Sequence, residues 1–178
     1  MPKIAEARIL IMATDGFEES ELFGPLGILK QRGAEVRLAA PSLTPIQATV
    51  RDDPGRTIRP DLKIDQARVE EFDALVLPGG VINPDALRTD KTAVALVRAF
   101  VAAEKPVAAI CHGPWLLVEA DVVRGRTATG WASIRTDLRN AGATLSDDRV
   151  VRDGNLITAQ APEDVEAFTE ALVGAVQA

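Results

Sequence analysis

Short apolar runs separated by helix-patterned stretches are the strongest constraint on this chain. Arg8-Ile-Leu-Ile-Met-Ala13, Phe72-Asp-Ala-Leu-Val-Leu77 and Pro106-Val-Ala-Ala-Ile110 are each apolar at successive positions, not alternate ones. A strand of that kind must be covered on both faces. Helical stretches lie between them. Glu18 to Gln31 sets Leu22, Leu26 and Leu29 on one side, and Gly33 stops it, although Pro25 should disturb its middle. Lys91 to Ala103 turns Val94, Val97 and Val101 inward; Pro114 to Ala120 and Trp131 to Ala141 read as further helices, and Pro162 opens a last one. Ala34 to Ala40 alternates as the second strand, and residues 45–65 read as a hairpin or excursion. Asp153-Gly154 marks a hairpin between two late strands. Alternation of this sort predicts one α/β domain over residues 1–178, with a mostly parallel sheet between two helical layers. Sites in such sheets form at the carboxyl ends of strands. Three ends therefore matter: Thr14 to Glu18, Pro78-Gly79-Gly80, and Cys111-His112-Gly113-Pro114.

Composition narrows the class. The chain has 178 residues, 47% hydrophobic and 26% charged, with a net charge of −6 and no basic patch. Duplex nucleic acid is therefore not an expected partner. A single cysteine forbids an intrachain disulfide and favours a reducing, cytoplasmic setting. The apolar run from Ile9 to Ala13 is too short for the core of a signal peptide, and no stretch approaches the ~18 apolar residues of a membrane span.

Ala109-Ile110-Cys111-His112-Gly113 has the form small-x-nucleophile-x-Gly. A sharp strand-to-helix turn needs small residues two positions either side of the nucleophile, or side chains clash. The turn lifts the thiol to the sheet edge and aims it at the next helix N-terminus, whose N–H groups should lower its pKa. Pro114 suits the first turn of that helix. The bland alternative is a buried structural cysteine. His112 is the one histidine in the chain, so any imidazole chemistry belongs to it, although neighbours in sequence can point apart. One Cys and one adjacent His cannot supply the three or four converging ligands of a zinc site.

The carboxylates divide by position. Asp15 followed by Glu18 resembles a capping box, and charge at a helix N-terminus accounts for Glu18 and Glu19. Glu21, one turn in, can point across the strand ends toward Cys111. Buried there it would stay protonated, and could donate to sulfur or pass a proton. Pro78-Gly79-Gly80 gives backbone room, and its N–H groups could face an oxyanion. Asp85 could orient an imidazole or cap the next short helix.

With these strand ends assembled, the chain resembles the ThiJ/PfpI superfamily, in its PfpI-type intracellular protease and general stress protein branch. The likeness is carried by Asp15-Gly-Phe-Glu-Glu-Ser-Glu21, Phe72-Asp-Ala-Leu-Val-Leu-Pro-Gly-Gly80, Lys105-Pro-Val-Ala-Ala-Ile-Cys-His-Gly-Pro114 and Asn140-Ala-Gly142. It implies a flavodoxin-like three-layer sandwich with Cys111 as nucleophile on an elbow. Glu21 would be the protonated carboxyl beside it, and Gly80 and the His112 amide the oxyanion hole. Asp85 stands where a neighbouring subunit's carboxylate would orient His112, which implies a homodimer or larger assembly. The resemblance implies chemistry on reactive carbonyls (glyoxalase or deglycase action on methylglyoxal or its glycated adducts) or peptidase nomenclature, with no cofactor.

A competing reading is a redox-sensing stress protein or chaperone, in which Cys111 is oxidised without turnover. A glutamine amidotransferase would need a late histidine, and Pro162-Glu163-Asp164 has none near it. Dinucleotide binding fails for want of G-x-G-x-x-G after the first strand.

Overall fold

In the computed structural model, which describes residues 2–178, the first apolar run lies inside the main sheet. It forms β1 (Arg8–Met12), whose Ile9, Leu10, Ile11 and Met12 are fully buried. Ile9 and Ile11 enter one core and Leu10 and Met12 the other, because successive side chains leave a strand on opposite faces. The remaining elements follow in chain order. They are β2 (Phe17–Glu18), α1 (Glu19–Gln31), β3 (Glu35–Ala40), β4 (Ile46–Val50), β5 (Asp53–Ile58), β6 (Leu62–Lys63), β7 (Ala74–Leu77), α2 (Ile82–Leu87), α3 (Lys91–Ala102) and β8 (Val107–Ile110). Then come α4 (Trp115–Glu119), β9 (Thr127–Ala128), α5 (Arg135–Asn140), β10 (Thr144–Leu145), β11 (Val150–Asp153), β12 (Leu156–Ala159) and α6 (Val165–Val176).

The main sheet runs β11-β12-β8-β7-β1-β3-β6, parallel except for β11 against β12. Its five central strands, β3-β1-β7-β8-β12, have the flavodoxin order 2-1-3-4-5. Leu22 and Leu29 of α1 and Phe168 and Leu172 of α6 cover one face. Phe100 of α3, Leu116 and Leu117 of α4 and Leu138 of α5 cover the other. This is the three-layer sandwich the alternation predicts. The chain reverses its direction of travel across the sheet between β1 and β7, so their carboxyl ends open a crevice, with the end of β8 beside it.

Several local expectations are corrected. α1 is not broken at Pro25: the ring removes only the bond to the Glu21 carbonyl, and Leu22, Pro25 and Leu29 are buried together along one side. Trp131 lies ahead of its helix, exposed; a 3₁₀ turn over Ala132–Ile134 precedes α5. In the late hairpin Asp153 pairs with Leu156, which leaves Gly154-Asn155 as the loop, one residue on from the predicted turn.

Residues 45–65 do contain a hairpin, β4 and β5, which joins the body through β2. The predicted capping box is absent, because the carboxylates hold this hairpin instead. Asp15 Oδ1 accepts from the Gln47 amide at 2.7 Å and Glu18 Oε2 from the Arg51 amide at 3.1 Å. Glu19 takes the Arg56 amide at 2.7 Å and its guanidinium at 3.0 Å. Among the described residues, no helix is long and apolar enough to cross a membrane.

Burial decides what a substitution in the α1–α6 layer costs. Leu22→Ala should lower unfolding free energy by about 2–5 kcal/mol in urea titration, since it opens a cavity under α1. Glu170→Ala, which breaks the exposed pair with Arg32 between α6 and α1, should shift it by less than about 1 kcal/mol.

Candidate active site

β8 ends at Ile110, and Cys111 turns the chain with φ +62°. That conformation costs a non-glycine residue on the order of 1–3 kcal/mol, so the surroundings must enforce it. They do so from both sides. The Cys111 amide donates to the Ala159 carbonyl at 3.0 Å, and its carbonyl accepts from the Trp131 amide at 2.9 Å. The Gly113 amide then closes the turn onto the Ile110 carbonyl at 2.8 Å. A Cβ at Gly113 would lie 2.4 Å from the Leu77 carbonyl oxygen, which is why the elbow needs a glycine there.

Glu21 enters this corner from α1 and is fully buried. Its Oε2 accepts from the Gly79 amide at 2.7 Å, while Oε1 has no hydrogen-bond partner among the described residues. A Cβ on Gly79 would fall 2.5 Å from Glu21 Oε2 and 2.7 Å from Cys111 Cβ, so only the width of that missing methyl separates the two side chains. Burial pushes the Glu21 carboxyl up to about 8, against the pull of the Gly79 amide. Glu21 is therefore a neutral acid at pH 7, and a proton on the unpartnered oxygen removes the charge that burial penalises.

Opposing influences act on the thiol. Their sum holds Cys111 well above its ordinary value, against the lowering expected of the turn: burial pushes it up most, as would a charge on Glu21, and the amides of His112 and Gly80 aimed at sulfur pull it down by less. Protonated Glu21 exerts no such repulsion. The expected help from the next helix is corrected here: α4 has five residues, and the donors facing sulfur are the amides of His112 and Gly80. Cys111 is also buried, 6% exposed, not raised into solvent.

His112 does turn toward its neighbour. Its Nδ1 lies 3.2 Å from Cys111 Sγ, and its Nε2 lies 3.2 Å from Ser133 Oγ. The ring sits between the two tryptophans, edge-on to Trp115 with centroids at 5.1 Å and stacked on Trp131 at 5.9 Å. Burial pushes the imidazole below its ordinary pKa, which keeps it neutral at pH 7.

Cys111, His112, Glu21 and Gly80 thus lie together at the strand ends. Asp85 does not join them within the chain: it is exposed inside α2, caps nothing, and has no hydrogen bond to His112 among the described residues. Two contributors carried no readable signal. Ser133 meets His112 from the 3₁₀ turn. Asn83 is fully buried, donates to the carbonyls of Pro78 (3.1 Å) and Gly79 (3.0 Å), and accepts from the Thr14 amide at 2.8 Å. It ties the end of β1 to the end of β7. No cluster of three or more His, Cys, Asp or Glu side chains able to hold a metal is present among the described residues.

A cysteine held at a strained strand-to-helix turn beside a buried carboxyl marks a class of parallel α/β sandwiches with their sites at the strand ends. The chain belongs to the DJ-1/PfpI family, whose pattern matches residues 7–175. It is 41% identical over 171 residues to Protein/nucleic acid deglycase 2 of Escherichia coli, covering 90% of this chain and 92% of that protein. It is 41% identical over 167 residues to General stress protein 18 of Bacillus subtilis, with the same coverage of each. The Putative cysteine protease YraA of Bacillus subtilis is 38% identical over 161 residues, 90% of this chain and 93% of YraA. Among solved structures, Drosophila melanogaster DJ-1beta superposes with a TM-score of 0.86 at 28% identity, covering 97% of this chain and 94% of that one. These relatives place the chain in the branch its motifs resemble and support hydrolase-type activity.

The raised pKa of Glu21 has a linkage signature. The folded state holds this proton more tightly than the unfolded chain does, so its stabilising effect is complete below about 4.5 and is lost as pH rises through about 8. Urea titrations from pH 5 to 9 should show the wild type losing stability across that window relative to Glu21→Gln, which has no proton there to lose. Parallel profiles for the two proteins would contradict a buried neutral Glu21.

Proposed function

We propose that this chain is a cysteine-dependent enzyme of reactive-carbonyl repair, acting on methylglyoxal or on the adducts it leaves on other molecules. The observation that carries the reading is the neutral Glu21 carboxyl held against Cys111, with His112 Nδ1 at 3.2 Å from the sulfur. Nucleophile, base and acid are then present together at one strand end.

The steps balance without a cofactor. His112 Nδ1 takes the thiol proton, and the thiolate adds to the aldehyde carbon of a 2-oxoaldehyde. The new oxyanion faces the Gly80 and His112 amides and takes a proton from Glu21, which gives a hemithioacetal. The C1 proton then moves to C2 through an enediol, so C1 is oxidised to a thioester while the C2 ketone is reduced to an alcohol. Water cleaves the thioester, releasing lactate and regenerating the thiol. On a glycated adduct, the thiolate forms the C1–S bond as the bond from C1 to the modified amine or thiol breaks, Glu21 gives the leaving group its proton, and the same hemithioacetal results. The deglycase name of the Escherichia coli relative supports this substrate class.

A thiol that must stay reduced suits a cytoplasmic setting. The redox-sensing reading uses the same thiol, and oxidation of Cys111 by mild peroxide with no carbonyl turnover in the reduced protein would favour it. Asp85, exposed on α2, could reach His112 only from a second copy of the chain, and a fully active monomer would remove it from any catalytic role.

Lactate formation from methylglyoxal and from a methylglyoxal-treated arginine derivative is the deciding measurement. Cys111→Ser should lower turnover by about 10³-fold or more, and Glu21→Gln by about 10²-fold. Turnover that survives Cys111→Ser would sink the nucleophile assignment, and a reduced wild type that makes no lactate would sink the carbonyl reading.

A further inference from the structure

We propose that Trp131 is a specificity-determining residue, whose open indole face binds the planar guanidinium of methylglyoxal-modified arginine and so favours arginine adducts over the free aldehyde. The inference rests on the carbonyl-repair reading above and names which of its substrates the site prefers. The chain's two tryptophans both pack on His112, but they differ in what they have left to offer. Trp115 is committed. Its Nε1–H donates to Asp137 Oδ2 at 2.8 Å, and the Arg88 guanidinium lies 5.1 Å from its ring centre. Trp131 is 39% exposed and stacks on His112 with centroids 5.9 Å apart and the planes 29° from parallel. Among the described residues no cation lies over its ring, no second aromatic meets it, and its Nε1–H makes no hydrogen bond. A π face and a donor are therefore free beside the histidine.

The indole is also fixed relative to the sulfur. The Trp131 amide donates to the Cys111 carbonyl at 2.9 Å, and the Trp131 carbonyl accepts from the Ile134 amide at 3.0 Å. Its stacking partner, His112, holds Nδ1 at 3.2 Å from Sγ. Free methylglyoxal has nothing to lay on a ring. An arginine adduct brings a guanidinium, which is planar, weakly hydrated for a cation and suited to an aromatic face. Charge points the same way. The Glu18 carboxylate meets the Arg51 amide but pairs with no cation among the described residues, and its charge is felt at Glu21. Arg135, four residues after Trp131, is neutralised by Asp147 and bonded to the Ser146 carbonyl, so it does not repel a second cation.

The test compares two substrates in each of three proteins. Lactate formation from methylglyoxal and from methylglyoxal-modified N-acetylarginine is measured in wild type, Trp131→Phe and Trp131→Ala, and read as the ratio of the two kcat/KM values. Loss of the stack on His112 acts on both substrates alike, so the ratio isolates the free face, and the backbone amide that holds the elbow remains in both variants. Trp131→Ala should lower the ratio about three- to tenfold through the KM of the adduct, and Trp131→Phe should retain most of it. A second measurement needs no turnover. The modified N-acetylarginine is titrated into Cys111→Ser, with and without Trp131→Phe, and tryptophan fluorescence is followed. Saturable quenching that disappears with Trp131 supports the proposal; equal quenching in both, which would come from Trp115, overturns it. An unchanged ratio in Trp131→Ala also overturns it, as does a changed oligomeric state at constant ratio, which would make the exposed indole an interface residue. Trp131-dependent binding in Cys111→Ser, with no lactate from the wild type, would fail the proposed function while leaving Trp131 in place.

Discussion

The bond between Glu21 and the Gly79 amide fixes the relative positions of everything at the strand ends. It joins the first turn of α1 to the loop after β7, and Cys111 stands on the other side of that loop. A charged carboxylate could not be held there, since among the described residues the corner has one backbone donor for two oxygens and no cation. Protonation resolves the conflict and makes the group useful. The same burial that would otherwise destabilise the fold provides an acid at neutral pH and lifts electrostatic repulsion from the neighbouring sulfur.

Strain at Cys111 is sustained in a similar way. Its backbone is held by β12 on one side and by the Trp131 amide on the other, and the sheet beneath it is buried on both faces. A rigid parallel sheet is what allows a positive φ at a non-glycine residue to persist. The elbow therefore belongs to the architecture as much as to its local motif.

The sequence was legible where a position had to satisfy two demands at once. Gly113 must both turn the chain and clear the Leu77 carbonyl, so its spacing from Cys111 could be read directly. Glu21 was legible because the helix period carries it to the inner side one turn in. Ser133 and Asn83 were not, since a hydroxyl or amide reaching across the fold leaves no periodic trace, and only the sheet order brings them near. The capping box misled because short-range hydrogen bonding was assumed for Asp15 and Glu18, when the hairpin at residues 46–58 offered better-placed amides. Pro25 misled for the opposite reason: a local rule was overridden by burial of one helix side.

Asp15, Glu18 and Glu19 fasten the hairpin, and Glu21 follows two residues later in the same segment. Those tasks need different directions around one short stretch of chain. Because each residue of a helix turns about 100°, inserting or deleting a single residue between Glu19 and Glu21 would leave the hairpin anchored while swinging the acid away from the sulfur. The spacing of this segment is thus as inflexible as its chemistry, and substitutions there should be tolerated in far greater variety than any change of length.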